Sequence, residues 1–217
     1  SDNYSWYGGG MSLENESNPI LTEVIISGNT AGFAAGMYIV HSNPTLKYVT
    51  ISGNVAANDG VGMILYRSSP TFTNVTISDN STDDDGGGMW LWDNSNPVLT
   101  NTIIRNNTPE SIYFDENVTG TSPCTIAISY SNTQGEGDIN TNDIGEIYWL
   151  DGNIDADPLF CYAENGDYTV QSDSPVLGAG QDGTDMGAYG VGCEPECDLG
   201  DVNYDGVLSV LDIVTLA

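Results

Sequence analysis

The sequence predicts an all-β chain of stacked coils, and three observations predict it. Met11, Met37, Met63 and Met89 fall 26 residues apart. Pro19, Pro44, Pro70, Pro97 and Pro123 keep the same beat, as do Asn29, Asn54, Asn80, Asn107 and, with a weaker match, Asn132. Within each repeat apolar and polar residues alternate, as in Met63, Leu65 and then Phe72, Val75 and Ile77, and no helical period interrupts them. Gly, Asn and Pro separate the runs and supply tight corners. Such a unit fits one coil of a parallel β-helix, repeated about five times at a spacing of about 4.8 Å.

Stacking sets like on like. Met lies over Met, Ile26 over Ile51, Ile77 and Ile104, and Asn over Asn at a corner where the side-chain amides stack and satisfy the bend. That ladder needs no functional explanation. The L-x-x-L-x-L-x-x-N pattern of a leucine-rich repeat is missing. In the strand that each Met opens, the next and third-next residues point outward: Ser12 and Glu14, Tyr38 and Val40, Ile64 and Tyr66, Trp90 and Trp92. Tyr38, Tyr66, Trp90 and Trp92 thus form a candidate contact surface for a sugar or a protein, with cover by the chain's own C-terminal segment as the plain alternative.

Charge removes several functions. The 217 residues carry 31 acids and 3 bases, a net charge of -28. So few cations cannot neutralise phosphates, which argues against nucleic acid and anionic membranes. Membrane insertion is not expected either, since no apolar run approaches about 18 residues. The one histidine, His41, sits at a Ser-Asn-Pro corner and makes no nucleophilic triad. Lys47, Arg67 and Arg105 occupy different faces of the coil and cannot converge as a lyase base, and among 31 acids no carboxylate pair stands out. The reading leans away from catalysis; an enzyme here would be a polysaccharide lyase or glycoside hydrolase. Four Cys, an even number, and an opening without a charged-then-apolar leader fit a secreted, extracellular chain. Of the three connectivities open to four Cys, the expected one is Cys124 with Cys161 and Cys193 with Cys197.

The tail carries a separate pattern. Asp201, Asn203, Asp205, Ser209 and Asp212 stand at positions 1, 3, 5, 9 and 12 of a loop with Gly206 at the turn and the Val207 carbonyl at position 7. That is the ligand spacing of an EF-hand-type Ca²⁺ loop, with Ser209 acting through water. Asp83 to Asp85, and Asp151, Asp155 and Asp157, are weaker calcium candidates.

The repeats GGGMSLENESNPILTEVIISGN, AAGMYIVHSNPTLKYVTISGN, GVGMILYRSSPTFTNVTISDN and GGGMWLWDNSNPVLTNTIIRNN resemble the right-handed parallel β-helix family of secreted bacterial proteins. The likeness is to the pectate-lyase-like superfamily and its SGN repeats of polymorphic outer-membrane proteins, over about residues 8 to 135. It implies the fold and leaves function open, because that fold hosts lyases, hydrolases, adhesins and spikes. Asp157-Pro158-Leu159-Phe160, Asn165 to Tyr168 and Asp185 to Tyr189 resemble the closing segment of such proteins, which implies a cap on the C-terminal end of the stack. Gly200 to Asp212 is similar to a dockerin repeat, which implies one bound Ca²⁺, a helix from about Ser209 to Ala217 and a cohesin-like partner; one of the dockerin's two repeats is here. The expected organisation is a β-helix over 1–160, its cap over 161–192 and a dockerin-like piece over 193–217.

The expected function is an extracellular, calcium-binding structural or adhesive protein that self-associates, head to tail into a filament. Only Ser1 to Tyr7 precede the first repeat, which leaves strand edges for a second copy. The alternative is a carbohydrate-binding or polysaccharide-processing module.

Overall fold

The computed structural model describes residues 1–115 and 123–195, and they form a parallel β-helix. Three faces recur in each coil. A six-stranded methionine sheet joins Met11–Glu14, Met37–Val40, Met63–Tyr66, Met89–Trp92, Ile112–Phe114 and Ile139–Asn140. A six-stranded threonine sheet follows, from Ile20–Thr22 through Thr45–Lys47, Thr71–Thr73, Val98–Thr100 and Thr125–Ser129 to Glu146–Trp149. A five-stranded isoleucine sheet holds Ile25–Ser27, Thr50–Ser52, Thr76–Ser78, Ile103–Arg105 and Asn132–Thr133. A short corner sheet of Tyr4–Tyr7, Thr30–Phe33 and Val55–Ala56 closes the outline. The stack is therefore six coils preceded by a partial one, against the five expected.

The inward ladders are those expected. Met63 pairs in register with Met37 and Met89, and Ile77 with Ile51 and Ile104. All six are shut away from solvent, with Phe72, Leu99 and Phe114 filling the same core. The Asn29 amide donates to Asn54 Oδ1, Asn54 to Asn80 and Asn80 to Asn107, at 2.8–2.9 Å. A second ladder went unrecognised: the backbone N–H groups of Ser17, Ser42 and Ser68 donate to the hydroxyls of Ser42, Ser68 and Ser95. The bends after the isoleucine strands are single left-handed residues, Gly28, Gly53, Asp79 and Asn106, which is why those corners read SGN, SGN, SDN and RNN.

The beat fails beyond the fourth coil. Ile112 lies opposite Met89, 23 residues on, whereas Ala127 lies opposite Val98, 29 residues on. Asn132 consequently pairs with Ile103 in the isoleucine sheet and does not extend the Asn ladder, which ends at Asn107. Pro123 likewise leaves the proline register.

Two further expectations are corrected. The disulfide joins Cys161 to Cys193, while Cys124 is a buried free thiol whose Sγ accepts the Ser95 N–H as the next rung of the serine ladder. Residues 158–190 do not plug the end of the stack; they run back along its flank, over the outward side of the isoleucine sheet. Thr76 Oγ1 accepts the Ala188 N–H, Asn74 donates to the Asp185 carbonyl, and Asn101 accepts the Gln181 N–H. Val170, Val176 and Met186 pack there on Ile103. The cause is the outward row of that sheet: Ile103 and Thr76 bring apolar surface that water would otherwise wet. The Ca²⁺ loop, the helix expected after Ser209 and Cys197 lie outside the described residues. No described helix is long and apolar enough to cross a membrane.

Candidate ligand-binding groove

The methionine sheet turns its second and fourth residues outward, and among the described residues the tail gives no cover on this side. Trp90 stands beside Ile64 and Tyr113, and Trp92 beside Tyr66, in parallel register. The corner sheet adds a wall. Tyr7 pairs with Phe33 and stacks on it at 5.3 Å between centroids, and Tyr7 meets Tyr38 at 5.1 Å. Between the wall and the sheet lies a cavity of about 360 Å³ lined by Tyr7, Phe33, Tyr38, Ile64, Trp90, Trp92, Asp59 and Asp115. Ile64 is its floor, 5% exposed.

Glycine makes the rim possible. Gly60, at φ +69°, lies where a Cβ would come within 2.1 Å of Ile64 Cγ1; Gly86, at φ +74°, sits against the Trp90 Cβ. With no side chain at either corner, the two loops close against the groove and carry Asp59 and Asp85 to its edge.

Of the four residues predicted as a contact surface, the groove gathers Tyr38, Trp90 and Trp92. Tyr66 is spent elsewhere: Trp92 at 4.6 Å, His41 edge-on at 5.4 Å and the Arg67 guanidinium at 5.1 Å occupy its surroundings. Arg67 also binds the buried Asp93 through Nε at 2.8 Å. Tyr7, Phe33, Asp59 and Asp115 were not foreseen in the lining, because Tyr7 and Phe33 end strands of the short corner sheet and Asp59 and Asp115 lie outside the strands. The outward alternation of Tyr7 against Phe33 was the signal that would have found two of them.

The electrostatics are one-sided. Burial pushes the Asp59 carboxyl above its ordinary value, and Asp84 and Asp85 add to the rise. Glu110 is raised the same way, by burial and then by Asp85 and Asp138, although the Gly86 N–H donates to it. Burial also raises the Tyr38 phenol, with Tyr7 and Glu14 contributing. The Trp90 Nε1 donor is shielded and makes no hydrogen bond. Among the described residues no group of three or more His, Cys, Asp or Glu converges to hold a metal, and Asp155 pairs with Arg105 at 2.8 Å. The arrangement suits stacking and hydrogen bonding to hydroxyl or amine donors.

A coil stack with three sheet faces and inward ladders defines a parallel β-helix, and the family model of the right handed beta helix region matches residues 1–143. The chain belongs to that family. Neither a search of curated proteins nor one of solved structures returns a match.

Proposed function

We propose that this chain is an extracellular carbohydrate-binding β-helix module whose groove stacks sugar rings on Trp90, Trp92 and Tyr38. The observation that carries the reading is the groove itself: five aromatic side chains converge on one open cavity, with carboxylates placed to accept from hydroxyls. The Cys161–Cys193 bond supports an oxidising compartment and hence secretion. A glycan array of the purified chain tests it; binding that disappears in Trp90→Ala and Trp92→Ala, with circular dichroism unchanged, is the expected outcome, and a blank array sinks the reading.

The tail belongs to the same proposal. Asp201, Asn203, Asp205, Val207, Ser209 and Asp212 bind one Ca²⁺, a reading supported by their spacing alone. At ten times Kd the ion adds about 1.4 kcal/mol to the loop, so a chelator should hasten proteolysis of the tail. A cohesin-like partner rests on the dockerin resemblance of that one repeat.

Self-association is the second reading, and one observation favours it. Ile20 and Ile25, on the first threonine and isoleucine strands, are 73% and 61% exposed beside strand edges that pair on one side only among the described residues. Light scattering and electron microscopy with and without calcium separate a filament from a monomer.

A further inference from the structure

We infer that residues 207–216 of this chain pack into an apolar recess at the first coil of the flank that the tail covers, and so complete that cover. The inference goes beyond the glycan, Ca²⁺ and self-association readings and rests on none of them.

The outward row of the isoleucine sheet runs in register through Ile25, Thr50, Thr76 and Ile103. Tail residues follow it coil by coil: Val170, Val176 and Met186 lie on Ile103, and Ala188 donates its N–H to Thr76. Thr50 is 1% exposed but Ile25 is 61% exposed, so the described cover runs out at the first coil. There Ala188 and Tyr189 meet Glu23, Ile25 and Tyr48 around an open recess of about 390 Å³, and Tyr48 is 49% exposed. Water on that apolar surface favours any segment able to shed it. Residues 207–216, which lie outside the described residues, offer seven Val, Leu and Ile side chains and one charge, Asp212. Reach is ample, since twelve residues separate 195 from 207 and can span about 40 Å. Charge agrees. Residues 196–217 carry five acids and no base, and Lys47, next to Tyr48, is the one Lys or Arg without an ion pair among the described residues. The aromatic groove is the poorer host, because Asp59, Asp84 and Asp85 would meet those acids as like charges. A second copy competes for Ile25, yet tethering holds the chain's own segment at an effective concentration on the order of mM.

The test is hydroxyl-radical labelling of the whole chain, in excess Ca²⁺, at low and at high protein concentration. Tyr148 and Tyr162 are the references, since their exposures of 49% and 46% match that of Tyr48. Tyr48 should be labelled at about a fifth of the reference rate or less, as expected of a tethered segment that is docked most of the time, and equally so at both concentrations. Ile213→Asp/Val214→Asp/Leu216→Asp, which spares the Ca²⁺ spacing of residues 201–212, should return Tyr48 to the reference rate with circular dichroism unchanged. In the converse variant, Ile25→Glu, proteolysis within residues 196–217 should be faster. Labelling of Tyr48 at the reference rate in the unaltered chain overturns the inference. So do protection that survives the triple substitution, proteolysis unmoved by Ile25→Glu, and protection seen at high concentration alone, which assigns the recess to a second copy.

Discussion

Two outward faces of one coil stack meet opposite fates. The isoleucine sheet turns out Ile103, Thr76 and Thr50, and the chain lays its own tail over them. The methionine sheet turns out Tyr38, Ile64 and Trp90, and the described residues leave them in an open groove. Inward, both sheets carry closed apolar ladders. The difference therefore lies only in what the alternate residues present. β-Branched and small side chains make a flat row that a peptide segment can follow, its Ala188 and Gln181 N–H groups donating to Thr76 Oγ1 and Asn101 Oδ1. Large rings of unequal size leave a hollow that no described segment fills, and here too a donor is shut in, the Trp90 Nε1. Cover has its own cost on the flat face, where the Thr50 hydroxyl is shut in without a partner.

The largest expected effect breaks the covered face. Met186 is fully buried against Ile103, so Met186→Ala should cost about 2–5 kcal/mol. Limited proteolysis should then cut between residues 160 and 195 while the groove still binds its ligand. Next is the cross-link. Cys161 and Cys193 are 32 residues apart, and replacing both by Ser should cost the tail about 4 kcal/mol by the loop-entropy argument. Hydrogen exchange would locate the loss in Asp167–Gln171 and Val191–Cys193, and protection of the methionine sheet should hold. The open face gives the converse. Trp92→Ala should leave thermal stability nearly as it is, because the ring is partly solvated, and lower glycan affinity about tenfold or more.

Legibility in the sequence followed the same division. The Met, Ile and Asn ladders were readable because each coil repeats its neighbour at 26 residues. The sixth coil was not, because its pairings come at 27 residues for Ile112 with Ile139 and 21 for Ile126 with Ile147. Cys124 misled for a related reason. As a cysteine it invites a partner, whereas its place opposite Ser95 is that of a rung. The outward stripe was readable as a stripe, but not as a groove. That required Tyr7, Phe33 and Asp59, whose approach depends on corners closed by Gly60 and on pairing between coils. The tail's course depended on which outward row was flat, a property of residues spread over four coils.

The smallest effect sharpens the electrostatic side of the comparison. Asp59, Glu110 and Asp138 share one cause, burial, which holds each carboxyl above its ordinary value; Asp84 and Asp85 act on Asp59, Asp85 and Asp138 on Glu110, and Asp155 on Asp138 against the opposing pull of Arg105. A raised acid binds its proton more tightly folded than unfolded. Stability should then fall as pH rises from the ordinary carboxylate range through the raised values, and it is lowest once all three are charged. Acidifying from neutral pH into that window should therefore raise the melting temperature before deeper acidification, below the window, brings no further gain from these groups. The triple variant Asp59→Asn/Glu110→Gln/Asp138→Asn should flatten that rise. Asp143→Asn/Asp173→Asn/Asp182→Asn removes three exposed charges instead and should keep it. If both variants flatten the curve equally, the rise belongs to the overall charge of -28 and not to the carboxylates buried beside and below the groove.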